Sequence, residues 1–345
     1  MNNPELYMQR ALDLARRGLG QVSPNPMVGA VLVHNDRIIG EGWHKQFGGP
    51  HAEVHALQEA DIPADSTLYV SLEPCNHHGK TPPCTDLIIR SGIRKVVIGC
   101  GDPHPLVNGS GEAKLKAAGI QVVTNVLRAE AEELNKRFFT SIQKHRPYII
   151  LKWAETADGF IARKNFESKW ISCEISRQLV HQWRAEEDAI LIGSRTALMD
   201  NPLLTVRDWS GKQPVRILLD KNLGVPQTHN VFNNESKTLI YNLVKNEHQG
   251  MTDWIKCEED NFLSAVLMDL NQRKIQSLIV EGGSKTLQDF IHQNYWDEAR
   301  VFTAEKTFQE GIKAPTIQAS PLYEQASGSD TLRTYRNFNS AKLPD

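Results

Sequence analysis

A chain of 345 residues, 40% hydrophobic and 23% charged, suits two globular domains that each bury a core, and no stretch of it resembles a membrane span or a secretory leader. A formal net charge of −2 removes any general electrostatic reason to expect a nucleic-acid partner, so a small-molecule task in the cytoplasm is the expectation. Five cysteines, an odd number, argue against a disulfide framework and leave metal ligation as their interesting use.

In chain order, residues 4–18 have the spacing of an amphipathic helix, and the apolar runs MVGAVLV and RIIGEGW flank a turn at Asn35-Asp36. HAEVHAL opens an expected helix over 51–60. A short buried strand, TLYVSL, follows, then a helix in CTDLIIRSG ended by Gly92, a strand KVVIGC, and a helix in EAKLKAAG stopped by Gly119 before QVV. Residues 129–143 read as one helix with an apolar stripe. The charged, proline-stopped joint at 144–147 places the expected domains at 1–145 and 146–345.

The second half restarts with YIILKWA, an Asp158-Gly159 turn and FIA, which read as the first β-hairpin of a new sheet. Helix EISRQLVHQWRAE, strands AILIG, VRILLD and TLIYN, helix FLSAVLMDLNQRK, strand SLIVEGG, helix SKTLQDFIHQN and strand ARVFTAEK complete an α/β alternation. The polar tail after about residue 315 is expected to be partly loose.

The residues that carry chemistry are Pro50-His51-Ala52-Glu53, opening a helix, and Pro74-Cys75 with Cys84, after a strand. The pattern H-x-E…P-C-x₈-C departs from the zinc-deaminase signature H-x-E…P-C-x-x-C in one spacing, which a long loop can absorb. One imidazole and two thiolates fill three corners of a tetrahedral zinc and leave the fourth for water. Glu53 is spaced to move protons rather than to bind the metal. The rival readings are core thiols with a helix-capping histidine, or a closed structural zinc knot that His77 or His78 could complete. His44 and His55 read as ordinary surface or packing histidines, and Cys100, Cys173 and Cys257 as buried apolar-type residues.

SPNPMVGAVLV (23–33), HAE (51–53), LEPCNHHGKTPPC (72–84) and GDPHPLVNGSG (101–111) together resemble the deaminase half of the bifunctional riboflavin-biosynthesis deaminase/reductase family. The resemblance covers nearly all of the first domain and implies a cytidine-deaminase-like three-layer fold. It also implies zinc-dependent hydrolytic deamination of 2,5-diamino-6-ribosylamino-4(3H)-pyrimidinone 5′-phosphate. His51, Cys75 and Cys84 would be the ligands, Glu53 the catalytic carboxylate, and Asn25, His77, Lys80 and Asn108 the contacts to base and ribose phosphate. Where similar proteins show DPNP, this chain has Asp102-Pro103-His104-Pro105.

LKWAETADGFIA (151–162), SKWIS (168–172), HQWR (181–184), LIGSRTALMDNPLLTVR (191–207) and IVEGGSKTL (279–287) extend the resemblance to the reductase half. This implies a dihydrofolate-reductase-like domain that uses NADPH to reduce the ribosyl group to ribityl. Ala154, Trp170, Thr196, Asp200 and Gly283 would lie near the dinucleotide, and Lys152, Ser168, Arg184, Leu204, Arg207 and Glu281 near the substrate. A homo-oligomer is implied as well. The residues alone offer no G-x-G-x-x-G fingerprint, only strand–glycine–helix junctions at Gly193-Ser194 and Gly282-Gly283. Two other readings are a nucleic-acid base deaminase with an appended substrate-binding domain, and a silent scaffold with a structural metal.

Overall fold

The computed structural model describes residues 3–58, 62–77, 82–168 and 170–343. The chain divides into two compact units, Met1–Gln143 and Lys144–Asp345.

In unit 1 the order is α1 (Pro4–Arg16), β1 (Gly29–His34), β2 (Arg37–Trp43), α2 (Ala52–Ala56), β3 (Thr67–Leu72), α3 (Cys84–Arg90), β4 (Lys95–Cys100), α4 (Ser110–Ala117), β5 (Gln121–Val123), α5 (Arg128–Leu134) and α6 (Lys136–Lys144). The sheet runs β2-β1-β3-β4-β5. β1 is antiparallel to both its neighbours, and β3, β4 and β5 are parallel. Asn35 and Asp36 take positive φ, 48° and 57°, the turn that matches the twist of a two-residue hairpin. Because side chains alternate along a strand, Leu32, Leu68, Val70 and Ile98 pack with α2, α3 and α4, while Val31, Tyr69 and Val97 pack with α1 and α5. Burying one such aliphatic side chain contributes about 1.5–3 kcal/mol, and the two faces give three layers.

Two helices differ from expectation. α2 ends at Ala56 with Leu57 as its C-cap. The helix expected over 129–143 is broken at Asn135. The buried Asn135 side chain accepts from Met27 N (2.8 Å) and donates to Met27 O (2.9 Å). It satisfies both main-chain groups of a residue 108 positions away, and the bend in the helix delivers it there.

Unit 2 contains β6 (Tyr148–Thr156), β7 (Phe160–Ala162), α7 (Glu174–Glu186), β8 (Ala189–Gly193), α8 (Ser194–Asp200), β9 (Val215–Leu219), β10 (Thr238–Asn242), β11 (Glu247–Gln249), β12 (Thr252–Lys256), α9 (Phe262–Gln272), β13 (Ser277–Val280), α10 (Ser284–His292), β14 (Glu298–Ala304), β15 (Ile312–Lys313), β16 (Tyr323–Ser327) and β17 (Asp330–Arg336). Its 10-stranded sheet runs β11-β12-β10-β9-β8-β13-β6-β14-β17-β16. The strands from β12 to β14 in that order are parallel, and antiparallel strands close both edges. α9 and α10 cover one face and α7 the other. The fully buried Arg146 clasps Asp297 through two hydrogen bonds (2.6 and 3.0 Å), and Asp297 also accepts from Ile149 N (2.8 Å), which staples the start of β6 to the start of β14.

The expected β6–β7 hairpin does not form. Both edges of β6 are taken by β13 and β14, so β7 pairs instead with β15 in a separate two-stranded sheet. Nor is the tail loose: β17 pairs with β14 and β16 with β17, and Leu332 and Leu343 are buried. Among the described residues no helix is long and apolar enough to cross a membrane.

Candidate functional site

The metal-competent residues of unit 1 come together at the carboxyl ends of parallel strands, where open α/β sheets leave a crevice. His51 is the N-cap of α2. That helix lies close on β2 because Gly40 and Gly42 face it: a Cβ at either would overlap the Ala56 or Ala52 carbonyl. Cys75 follows β3, and Cys84 is the first residue of α3. The ligand atoms of His51, Cys75 and Cys84 all lie within 4.8 Å of one another. His51 Nδ1 is 3.2 Å from Cys84 Sγ and 3.6 Å from Cys75 Sγ, and Cys84 N–H donates to Cys75 Sγ at 3.4 Å.

Hydrogen bonding from Cys84 holds the Cys75 thiol well below its ordinary range, with His51 adding to the effect, while Cys75 and burial drive Cys84 upward. One nitrogen with two sulfurs is a donor set that suits zinc. Among the described residues His77 is not part of this cluster. His78 lies outside the described residues.

Glu53, in the first turn of α2, is 2% exposed, and its Oε2 has no hydrogen-bond partner. Burial pushes its carboxyl above the usual range, against the pull of His51. Asn25 Nδ2 bonds to His44 Nε2 (3.0 Å), and His44 Nδ1 bonds to Pro50 O (3.0 Å). A carbonyl only accepts, so His44 carries its proton on Nδ1 and takes the Asn25 amide hydrogen on Nε2. Of the two readings the sequence offered for His44, surface or packing, the structure shows the second: it is buried and packed edge-on to His51 at 5.4 Å. His77 stacks on His104 at 6.3 Å and has a buried Nδ1 without a partner. Asn108 is exposed on the loop between β4 and α4. Lys80 lies outside the described residues.

Glu73 was not legible as a site residue. Its carboxylate accepts four backbone N–H groups of the loop that carries Asn108. The pattern L-E-P-C places it beside a ligand, but no local periodicity says where it points. Of the remaining cysteines, Cys100 is buried as expected, whereas Cys173 and Cys257 are only half-buried.

Unit 2 holds a cavity of about 1140 Å³, and Lys152, Ala154, Ser168, Trp170, Arg184, Thr196, Asp200, Leu204, Arg207, Glu281 and Gly283 all line it. It opens where β6, β8 and β13 end. Glu281 is gripped by Arg184 through Nε–Oε1 and Nη2–Oε2, both 2.9 Å, with Lys152 Nζ 3.9 Å away. Burial opposes the Glu281 charge, but Arg184 and Lys152 outweigh it and hold the carboxyl at about 2. Burial also lowers Lys152 below the usual ammonium range. His181 Nδ1 accepts from Arg207 N (3.2 Å) and its Nε2 faces Asp208 (3.3 Å); burial, with Arg184 and Arg207, brings its imidazole down to about 4.

Ser168 Oγ donates to Asp200 (3.0 Å), and Thr196 Oγ1 accepts from Gly283 N (2.8 Å). Gly193 and Gly282 touch: a Cβ on Gly282 would meet Gly193 N at 3.1 Å. The two glycine junctions therefore form one backbone-lined wall at the starts of α8 and α10. That wall and the cavity volume fit a dinucleotide beside a small substrate.

Comparison with known proteins bears on both units. Residues 1–100 match the cytidine and deoxycytidylate deaminase zinc-binding region, and residues 147–316 match the RibD C-terminal domain. The riboflavin biosynthesis protein RibD of Aquifex aeolicus is 45% identical over 317 residues, 89% of this chain and 88% of that protein. The RibD of Escherichia coli is 38% identical over 331 residues, 88% of each chain. The crystal structure of a diaminohydroxyphosphoribosylaminopyrimidine deaminase/5-amino-6-(5-phosphoribosylamino)uracil reductase from Thermotoga maritima matches with a TM-score of 0.88 at 39% identity, covering 96% of this chain and 98% of that one. With a zinc-deaminase donor set in one unit, a dinucleotide-sized cavity in the other, and these identities over most of its length, the chain belongs to the RibD family.

Proposed function

We propose that unit 1 removes the ring amine of 2,5-diamino-6-ribosylamino-4(3H)-pyrimidinone 5′-phosphate by hydrolysis and that unit 2 reduces the ribosyl group of the product to ribityl. The chain is a bifunctional deaminase and reductase of riboflavin biosynthesis that uses Zn²⁺ and NADPH. The observation that carries the division of labour is the cluster of His51, Cys75 and Cys84 beside a buried, half-unpartnered Glu53.

His51 Nδ1 and the sulfurs of Cys75 and Cys84 hold the metal. When bound, zinc supplies the Lewis acidity that makes a water molecule reactive near neutral pH. Glu53 takes a proton at Oε2 and hands it to the departing amine, so that a neutral leaving group forms. Asn25 Oδ1, His77, Asn108 and Lys80 receive the base and the ribose phosphate.

In unit 2, NADPH supplies the hydride when bound, and the chain supplies orientation. Thr196, Asp200, Ala154, Trp170 and Gly283 serve the dinucleotide. Lys152, Ser168, Leu204 and Glu281 serve the sugar. Arg184 acts as the partner that keeps Glu281 charged, and Arg207, exposed on the cavity wall, is the guanidinium offered to the phosphate. We place the enzyme in the cytoplasm as a homo-oligomer acting on a small molecule, without nucleic-acid or membrane partners; the net charge of −2 supports this.

Incubation of the full chain with the aminopyrimidine phosphate, with and without NADPH, tests the reading by mass. Replacement of an amine by oxygen is expected in both samples, and addition of hydride plus proton only with NADPH. Absence of ammonia release from zinc-loaded protein would refute the first assignment, and reduction without NADPH the second.

A further inference from the structure

We propose that Glu73 is a positioning residue of the deaminase: its carboxylate fixes the loop over residues 102–112 so that Asn108 meets the substrate. The proposal rests on the reading of Asn108 as a substrate contact. Glu73 directly follows β3, one link before Pro74-Cys75, and is 6% exposed. Its Oε2 accepts from Asp102 N (3.3 Å) and Gly109 N (3.0 Å), and its Oε1 from Gly111 N (2.9 Å) and Glu112 N (3.2 Å).

Three of those donors belong to the start of α4, where a helix leaves N–H groups unsatisfied and gathers partial positive charge. The helix cannot cap itself. Its N-cap is Gly109, in the left-handed region at φ 85°, with no side chain to turn back. The cap comes instead from the segment that carries a zinc ligand. Gly111 lets that segment approach, since a Cβ there would overlap the Pro74 carbonyl. Asn76 adds a second tie, donating from Nδ2 to Ser110 O (3.3 Å) and accepting from Thr85 Oγ1 (3.1 Å).

Asn108 is exposed, and its backbone bond is local, from Asn108 N to His104 O (3.1 Å). Its placement is therefore inherited from Gly109, which Glu73 holds. A carboxylate offers acceptors alone. A carboxamide of the same shape would turn an NH₂ group toward N–H donors and break the bonds at one of its two ends.

The test is a double-mutant cycle on the full, zinc-loaded chain: wild type, Glu73→Gln, Asn108→Ala and the pair, with ammonia release measured against pyrimidine phosphate. NADPH oxidation on the same preparations, with the deaminated intermediate supplied as substrate, checks unit 2. Glu73→Gln is expected to raise the deaminase KM about tenfold, as unsatisfied donors in a buried cap should, with kcat held within about twofold and zinc retained. On the Asn108→Ala background the same change should add less than about twofold. Amide exchange at Gly109 and Gly111 should quicken in Glu73→Gln with or without zinc. Additive effects, unchanged exchange, or a loss of zinc or kcat at constant KM would each overturn the proposal. Asn108→Ala with wild-type KM would break the reading of Asn108 and this proposal with it, whereas wild type that releases no ammonia would break the deamination itself. Should Glu73→Gln not fold, Glu73→Asp, which keeps acceptors but shortens their reach, goes through the same cycle.

Discussion

In unit 1 the buried carboxylate of Glu53 has an oxygen with no partner, whereas in unit 2 the buried carboxylate of Glu281 is held by both arms of Arg184 with Lys152 behind it. An isolated buried charge is costly unless it is neutralised. The first site answers by pushing Glu53 toward its protonated form and by collecting ligands for a cation; the second compensates its charges with its own side chains. Oε2 of Glu53 is thus left without a partner, and both oxygens of Glu281 are paired.

Substitutions can break that contrast. The largest effect is expected from Glu53→Gln, which should lower deaminase kcat about 10²- to 10⁴-fold while zinc content, and NADPH oxidation with the deaminated intermediate supplied as substrate, stay at wild-type levels; assays of all three on one preparation decide it. Because Oε2 has no hydrogen-bond partner to lose, the denaturant midpoint of unit 1 should change little. Arg184→Ala should do the reverse, stranding Glu281 and destabilising unit 2 by about 3–5 kcal/mol, with partial recovery when Glu281→Gln is added. Equal denaturant midpoints for Arg184→Ala and wild type would show that Glu281 does not depend on its pair.

Two smaller effects sharpen the picture. Arg207→Ala should raise the reductase KM for the phosphorylated substrate about tenfold or more, as loss of a charged hydrogen bond does, and leave ammonia release untouched. His181 sits at about 4 when folded against an ordinary 6.5. As pH falls below 6.5 the unfolded chain takes up that proton first. The contribution of a neutral His181 is therefore complete above 6.5, declines between 6.5 and about 4, and is flat below. Denaturant midpoints of wild type and His181→Gln should accordingly converge as pH is lowered through that window, and parallel curves would count against it.

What was legible in the sequence is what local pattern encodes. The ligands and Glu53 stand within short motifs at or near helix starts, and the reductase residues are legible by motif position, although they reach one cavity from β6, α7, α8, the end of β13 and the connecting loops. The hairpin after Thr156 was misread because the strands that take both edges of β6 arrive from beyond residue 276, and no nearby residue announces them. β16, at the sheet edge, and β17 beside it read as loose tail because their side chains are mostly polar and only partly buried. His44, Glu73 and Asn135 share another reason. Each is a polar side chain whose role depends on a backbone or side-chain group that only the tertiary fold brings to it.

The clasp of Asn135 on Met27 bears on how the protein can be dissected. A fragment ending at Cys100, where the zinc-region match stops, would keep all three ligands and the glutamate, yet strip both amide partners from Met27 and release the turn that presents Asn25. Such a truncation would still be able to grip metal with the loop that reads the base unmoored. The smallest piece of this chain worth expressing as a deaminase therefore runs past the bend at Asn135, through a helix that touches none of the chemistry.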